Sequence, residues 1–173
     1  MFLLETPHLR LTELGASDAG FLVELLNSPT FLQHIGDKKV RSVDDALRYL
    51  AEGPAASYAL HGYGLWRVAL KKDDTAIGIC GLVRRDVLPA PDIGFALLPA
   101  YAGQGYGYEA ARACRDHAFE VLGLPRVLGI TDDANLASKA LLEKLGLSFT
   151  HYAALYEGEP PLRVYALAQP KVA

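Results

Sequence analysis

Apolar positions recur with two different periods along this chain, and the places where the period changes mark its elements. Leu9, Leu11 and Leu14 flank polar residues in a short alternating strand, and Ser17-Asp18 then open a helix carrying Phe21, Leu22, Leu25 and Leu26. That helix ends near Ser28-Pro29. From Phe31 to Gly64 the pattern is mostly helical: Ser42 with Asp45 reads as a capping box ahead of Ala46, Leu47, Tyr49 and Leu50, and Gly53-Pro54 reads as the stop. Strands from Leu65 to Leu70 and from Ala76 to Arg84 follow, with Lys71-Lys72-Asp73-Asp74 as the solvated tip between them. Leu88-Pro89-Ala90-Pro91 leads to another strand, Asp92 to Leu98, which Pro99 ends.

Beyond Pro99 the period becomes helical. Arg112, Arg115, Asp116 and Glu120 fall on one face, and Ala111, Cys114, Ala118 and Val121 on the other, so this is an amphipathic helix with Gly103, Gly105 and Gly107 at its entrance. Arg126 to Thr131 is a further short strand, and Asn135 to Leu145 a second amphipathic helix with Gly146 as its terminator. Phe149 to Tyr156 and Leu162 to Ala168 form a closing hairpin around Glu157-Gly-Glu-Pro-Pro161. There is no repeat, linker or low-complexity stretch, so residues 1–173 are expected to form one domain.

Composition narrows the function classes. With 173 residues, 51% of them hydrophobic, the chain is long enough for one well-buried core. No apolar run reaches the ~18 residues of a membrane span, and Met-Phe-Leu-Leu-Glu lacks the basic start of a secretory signal, so a cytoplasmic protein without a membrane partner is expected. The net charge of -3 speaks against generic nucleic-acid binding and suits a cationic substrate. Cys80 and Cys114 are in no Cys-x-x-Cys arrangement, so both are expected to be buried, inert thiols with no metal site.

The glycine-bearing stretch carries the clearest chemistry. The first turn of a helix has N–H groups without intrahelical partners and the positive end of the dipole, and glycines let a phosphate approach that backbone. The same spacing also suits a flexible turn. No Gly-Lys-Ser/Thr follows, and Tyr108 occupies the last glycine place of a dinucleotide fingerprint, so the usual nucleotide loops do not fit.

The stretch Ala102-Gly103-Gln104-Gly105-Tyr106-Gly107 resembles the pyrophosphate loop of the GNAT acyltransferases: Arg or Gln, two residues, Gly, one residue, Gly or Ala. Ala102 stands where that motif has Arg or Gln, which leaves binding to the backbone. Within the family the RimJ and RimL branch is nearest, through Ile93-Gly94-Phe95, Pro99, Tyr101 and the run Gly103 to Ala110. The opening Thr6-Pro7-His8-Leu9-Arg10-Leu11 is similar too, with His8 in an arginine place. Asn135 to Leu147 matches the Asn-x-x-Ser-x-x-x-Leu-Glu-Lys-x-Gly-Phe segment of the same family.

The resemblance implies an α/β (α+β) fold with a mixed, mostly antiparallel seven-stranded sheet, flanked by helices and splayed at its central strands. It implies an acetyl-CoA-dependent N-acetyltransferase without a metal, acting on a peptide N-terminus or a small-molecule amine, with room for a homodimer. Leu97, Leu98, Ala102, Gly103, Gln104, Gly105, Tyr106 and Gly107 would then bind the donor, Asn135 would touch its pantetheine arm, and Ser138 its sulfur. The tyrosine that many members use as general acid is Leu142 here. Asp92 is the expected proton acceptor, against its plainer reading as a turn residue after Pro91, and Glu157 and Glu159 are the other carboxylates to consider. The rival is a catalytically silent acyl-CoA-binding sensor or scaffold, which would keep both motifs and consume no thioester.

Overall fold

The computed structural model describes residues 2–171. Its elements run β1 (Leu3–Glu5), β2 (Leu9–Thr12), α1 (Ala19–Leu26), α2 (Pro29–His34), α3 (Val43–Leu50), α4 (Ala56–His61), β3 (Leu65–Leu70), β4 (Ala76–Val83) and β5 (Asp92–Leu97). Then come α5 (Tyr106–Glu120), β6 (Arg126–Thr131), α6 (Leu136–Lys144), β7 (Ser148–Ala153) and β8 (Leu162–Ala168).

The strands make one mixed, mostly antiparallel sheet in the order β1-β2-β3-β4-β5-β6-β8-β7. It has eight strands, not the expected seven. The extra one is β1, whose three residues are too few to show an alternation and acquire strand form by pairing with β2, Leu3 opposite Thr12 and Glu5 opposite Arg10. Only β5 and β6 run parallel, and they share a single pair of ladder partners, Asp92 and Leu128. Past that pair the two strands separate. The sheet is therefore split at its middle, and the split opens toward the C-terminal ends of both strands.

Helices cover both faces. Trp66, Val68, Cys80, Ala111, Cys114 and Leu142 belong to a core between the sheet and the α5–α6 side, while Leu22, Leu25, Leu26, Phe31, Ala46 and Ile79 form a second core under α1 to α3. Strand β4 lies between these layers, which is why its residues Ile77 to Leu82 are buried without alternation. Both cysteines are buried, with their sulfurs 3.6 Å apart.

Four local expectations are corrected. Gly53-Pro54 does not stop the third helix: residues 51–55 form a wide π turn, a form that tolerates the N–H missing from Pro54, and the run continues to Gly62, whose φ of 76° supplies the left-handed end. Val121 is 70% exposed because it lies just beyond the last turn of α5, while Phe119 takes the buried place. The strand begun at Ser148 ends at Ala153 and Leu14 lies outside β2, because among the described residues neither Tyr156 nor Leu14 has a neighbouring strand to pair with. Gly146, by contrast, ends α6 as expected: its φ is 98°, and the N–H groups of Gly146 and Leu147 return to Glu143 and Leu142.

One polar contact fixes the start of α5. Glu109, in its first turn, accepts hydrogen bonds from Thr6 Oγ1 at 2.5 Å and His8 N at 2.8 Å, tying the β1–β2 turn to the helix that carries the glycine loop. Burial alone would raise this carboxyl, but the bonds from Thr6 and His8 more than offset it and hold it below its usual range. The contribution of such a group is present at neutral pH and is lost as pH falls through its unfolded and then its folded pKa. Glu109→Gln should therefore cost about 1 kcal/mol at pH 7 and less at pH 3, as read from urea unfolding at both pH values.

Candidate active site

The split between β5 and β6 opens into a cleft of about 910 Å³. One end is framed by the glycine loop and α6, the other by the β4–β5 connection and Tyr156, and α2 to α4 form the roof.

At the loop end, Gly103 and Gly105 have φ of 73° and 88°, conformations that side-chain-bearing residues rarely adopt. Gly105 is the N-cap of α5. Among the described residues, a Cβ on either glycine would meet no atom within 4 Å beyond its own chain neighbours, so the space above this backbone is open. The N–H of Glu109 is the first in the helix to find a backbone acceptor, Gly105 O, and no backbone partner is found among the described residues for the N–H groups of 103 to 108. Those groups, set on the positive end of a 15-residue helix, make a cradle that suits a diphosphate. Gly107 has a different role. A Cβ there would come within 3.3 Å of Leu141, so its absence lets α5 settle beside α6.

The strand next to the loop supplies backbone groups of its own. Leu98 N–H is donated to Ile77 O, and Leu98 O accepts from Tyr101, so both polar groups of Leu98 are used within the fold. Backbone groups of a strand alternate between its two neighbours, hence those of Leu97 and Phe95 point toward β6, which has already diverged. Leu97 lines the cleft, as do Ala102, Gly103, Gly105 and Gly107. The side chain of Gln104 turns back to Ala100 O at 3.0 Å, and Tyr106 packs beside Pro7, His8 and Leu70 on the outside.

On the facing wall, Gly129 lets α6 sit close to β6, since a Cβ there would lie 2.4 Å from Leu142. This seats Asn135 and Ser138 at the cleft. Asn135 Oδ1 caps α6 by accepting Ser138 N–H at 3.1 Å, so the plain capping role is real and coexists with a place on the cleft wall. The Ser138 hydroxyl lines the cleft with no hydrogen-bond partner among the described residues.

At the far end, Asp92 is only 1% exposed and its Oδ1 accepts from Arg85 Nε at 2.9 Å. Burial pushes its carboxyl up, with the Arg85 charge and hydrogen bond pulling back. Arg85 also donates to Tyr156 Oη at 2.6 Å. Asp92 thus anchors an Arg85–Tyr156 pair on the cleft wall. Glu157 and Glu159 are exposed and lie outside the cleft lining. Lys38, Arg84 and Arg85 gather here, so the net charge of the whole chain is a poor guide to this end.

The sequence reading missed Arg85, Tyr156, His34 and Asp132, all on the cleft. His34 Nδ1 lies 3.3 Å from Asp132 Oδ2. Asp132 alone carried a readable signal, because it directly follows the strand that leads to Asn135, where loops at strand ends gather functional groups. Of the aromatics after α3, Tyr58 is structural: its hydroxyl accepts from Leu14 N at 3.1 Å and donates to Leu65 O.

The family model for the acetyltransferase (GNAT) domain matches residues 8–148. The FsC-acetyl coenzyme A-N(2)-transacetylase of Aspergillus fumigatus is 27% identical over 165 residues, 91% of this chain and 70% of that protein. The crystal structure of an acetyltransferase from Agrobacterium tumefaciens is similar with a TM-score of 0.83 and 26% identity, over 98% of this chain and 95% of its own. The ribosomal-protein-S5-alanine acetyltransferase from Vibrio fischeri shares the fold at TM-score 0.75 and 18% identity, covering 98% of this chain and 97% of its own.

Proposed function

The chain belongs to the GNAT acetyltransferase family, and from that premise we propose that it moves the acetyl group of acetyl-CoA to a primary amine by direct attack on the thioester. The observation that carries this is the juxtaposition of two orphan backbone surfaces on one cleft: the N–H cradle at Gly103 to Gly107, and the unpaired edge of β5 at Leu97. The first suits the diphosphate and the second the pantetheine and thioester, so one extended ligand would bridge them. Acetyl-CoA supplies the activated acyl group, and the residues present fit it without a side chain at Ala102.

Within this frame Asn135 touches the pantetheine arm while also capping α6, and Ser138, whose hydroxyl is uncommitted, meets the departing sulfur. The amine enters from the far end, past Arg85 and Tyr156. Asp92 serves that end by holding Arg85; its burial and its ion pair leave it poorly placed to accept a proton directly. The motifs shared with the RimJ and RimL branch support a protein N-terminus as the first acceptor to try, ahead of small-molecule amines, and such a reaction belongs in the cytoplasm.

An acetyl-CoA consumption screen across N-terminal peptides, polyamines, amino acids and antibiotic amines tests the activity. Release of free thiol with at least one class is expected; none with any class would favour a silent acyl-CoA-binding domain. The two α6 residues separate by readout. Ser138→Ala should lower kcat with little change in Tm, whereas Asn135→Ala should both lose a cap, about 1 kcal/mol, and raise KM for acetyl-CoA. If Asn135→Ala changed Tm alone, its role would be capping and nothing more.

A further inference from the structure

We infer that His34 is the proton acceptor for the attacking amine and that Asp132 is its positioning residue; this rests on the acetyl-transfer activity proposed above. His34 closes α2 and Asp132 follows β6, 98 positions later in the chain. The fold brings Nδ1 of the ring to 3.3 Å from Asp132 Oδ2, with the two side chains 22% and 31% exposed at the cleft. The carboxylate is itself held, since its other oxygen accepts Asn135 N–H at 2.7 Å. With Nδ1–H donated to Asp132, Nε2 is the nitrogen that keeps a lone pair, on a ring that lines the cleft.

Position supports the assignment. Because β5 and β6 are parallel, their C-terminal ends share one side of the split, so Asp132 stands at the same end as the unpaired backbone of Leu97. Asn135 and Ser138 follow within two turns. The ring therefore lies among the groups assigned above to the thioester half of the donor. Glu52 is an exposed carboxylate in the roof with no partner among the described residues to orient it, and two further proton acceptors are less suited. Asp92 is buried and paired with Arg85, while the exposed ring of His61 stacks on Tyr63 at 5.3 Å and has no carboxylate partner among the described residues.

An amine that arrives protonated first loses one proton to water. As the neutral nitrogen bonds the acetyl carbonyl carbon, it passes a proton to His34 Nε2, and the carbon–sulfur bond then breaks. The leaving sulfur takes up one proton, from the imidazolium directly or through Ser138. From the neutral amine one proton has left nitrogen and one has reached the thiol, the ammonium proton having gone to water beforehand, and nothing is oxidised or reduced. The other charged and titratable groups that share the cleft are Lys38, Tyr49, Glu52 and His61 in the roof, Arg84, Arg85, Asp92 and Tyr156 at the far end, and Tyr108 and Lys144 beside the loop. None of them bonds to the His34 ring, whose partner is Asp132.

The test uses the intact protein with an acceptor found in the screen. His34→Gln should lower kcat by about a hundredfold while KM for acetyl-CoA stays near its starting value. The part of the acid limb that belongs to His34 should disappear from the kcat profile, leaving only the limb that the amine sets in kcat/KM, and the deficit should persist above the pKa of the amine, because the neutral nitrogen still gives up a proton as it attacks. Asp132→Asn, which keeps an oxygen for Asn135 N–H, should give a smaller loss with the acid limb displaced. His34→Ala is the second variant, and added imidazole should restore part of its turnover, which repair of a merely structural defect would not do. A folded His34→Gln with an unchanged acid limb and kcat within about twofold of the unaltered protein would overturn the assignment and leave acetyl transfer standing. An unaltered protein that turns over no acceptor would overturn both.

Discussion

Gly105→Val is expected to weaken CoA binding by about tenfold to a hundredfold, the equivalent of one lost charge-assisted hydrogen bond of ~1.5 to 3 kcal/mol. The effect does not come from a clash inside the protein, since a Cβ at this position meets nothing within 4 Å. It comes from two sources. A valine at φ of 88° is strained, which draws the loop away from the helix-capping geometry, and its methyls stand in the open space through which a phosphate must reach the N–H groups. Gly105→Ala separates them, because alanine suffers the backbone strain, about 1 to 2 kcal/mol in the left-handed region, with far less obstruction. Calorimetry should rank the affinities as unaltered, then alanine, then valine, while Tm should fall for both variants. A folded Gly105→Val with unchanged CoA affinity would remove the loop from the donor site.

Arg85→Met should be the most destabilising change at the cleft, at about 3 to 5 kcal/mol near neutral pH. Removing the guanidinium leaves the Asp92 carboxylate 1% exposed without its charged partner. Its carboxyl is already raised by burial, against the pull of Arg85, and without that pull it rises further. A folded-state pKa above the unfolded one means that the folded protein binds the proton more tightly. Stability is then lost as pH rises from the unfolded pKa through the folded one, so the deficit of Arg85→Met should be largest at neutral and higher pH and should shrink toward pH 4. Paired denaturation curves at pH 7 and pH 4.5 check this. A deficit independent of pH would mean that Arg85 contributes through packing and its bond to Tyr156. Asp92→Asn offers the companion test: the amide oxygen can still accept from Arg85, so a normal acid limb with modest loss of stability would fit a holding role for Asp92.

Local signals carried much of this protein. Ser42 caps α3 by accepting Asp45 N–H, Asn135 caps α6, and Gly146 ends that helix, each through bonds that span only a few residues. The strand, glycine loop and helix order was legible because the period of apolar residues changes where the conformation does. Where local reading failed, a neighbour outranked it. β1 is a strand because β2 lies beside it, and the helical run crosses Gly53-Pro54 because a wide π turn absorbs the missing donor.

What the sequence by itself determined is thus the course of the backbone near each motif, including the orphan N–H groups at Gly103 to Gly107, since positive φ and helix starts are properties of a few consecutive residues. Tertiary structure alone decided which side chains meet. Asp92 and Arg85 are seven positions apart, Arg85 and Tyr156 71, and His34 and Asp132 98. Only the divergence of β5 and β6 makes room for all of them on one cleft. No local pattern encodes such meetings, because a salt bridge or an oriented imidazole depends on distances of a few ångströms between elements that the chain connects by any route the packing permits.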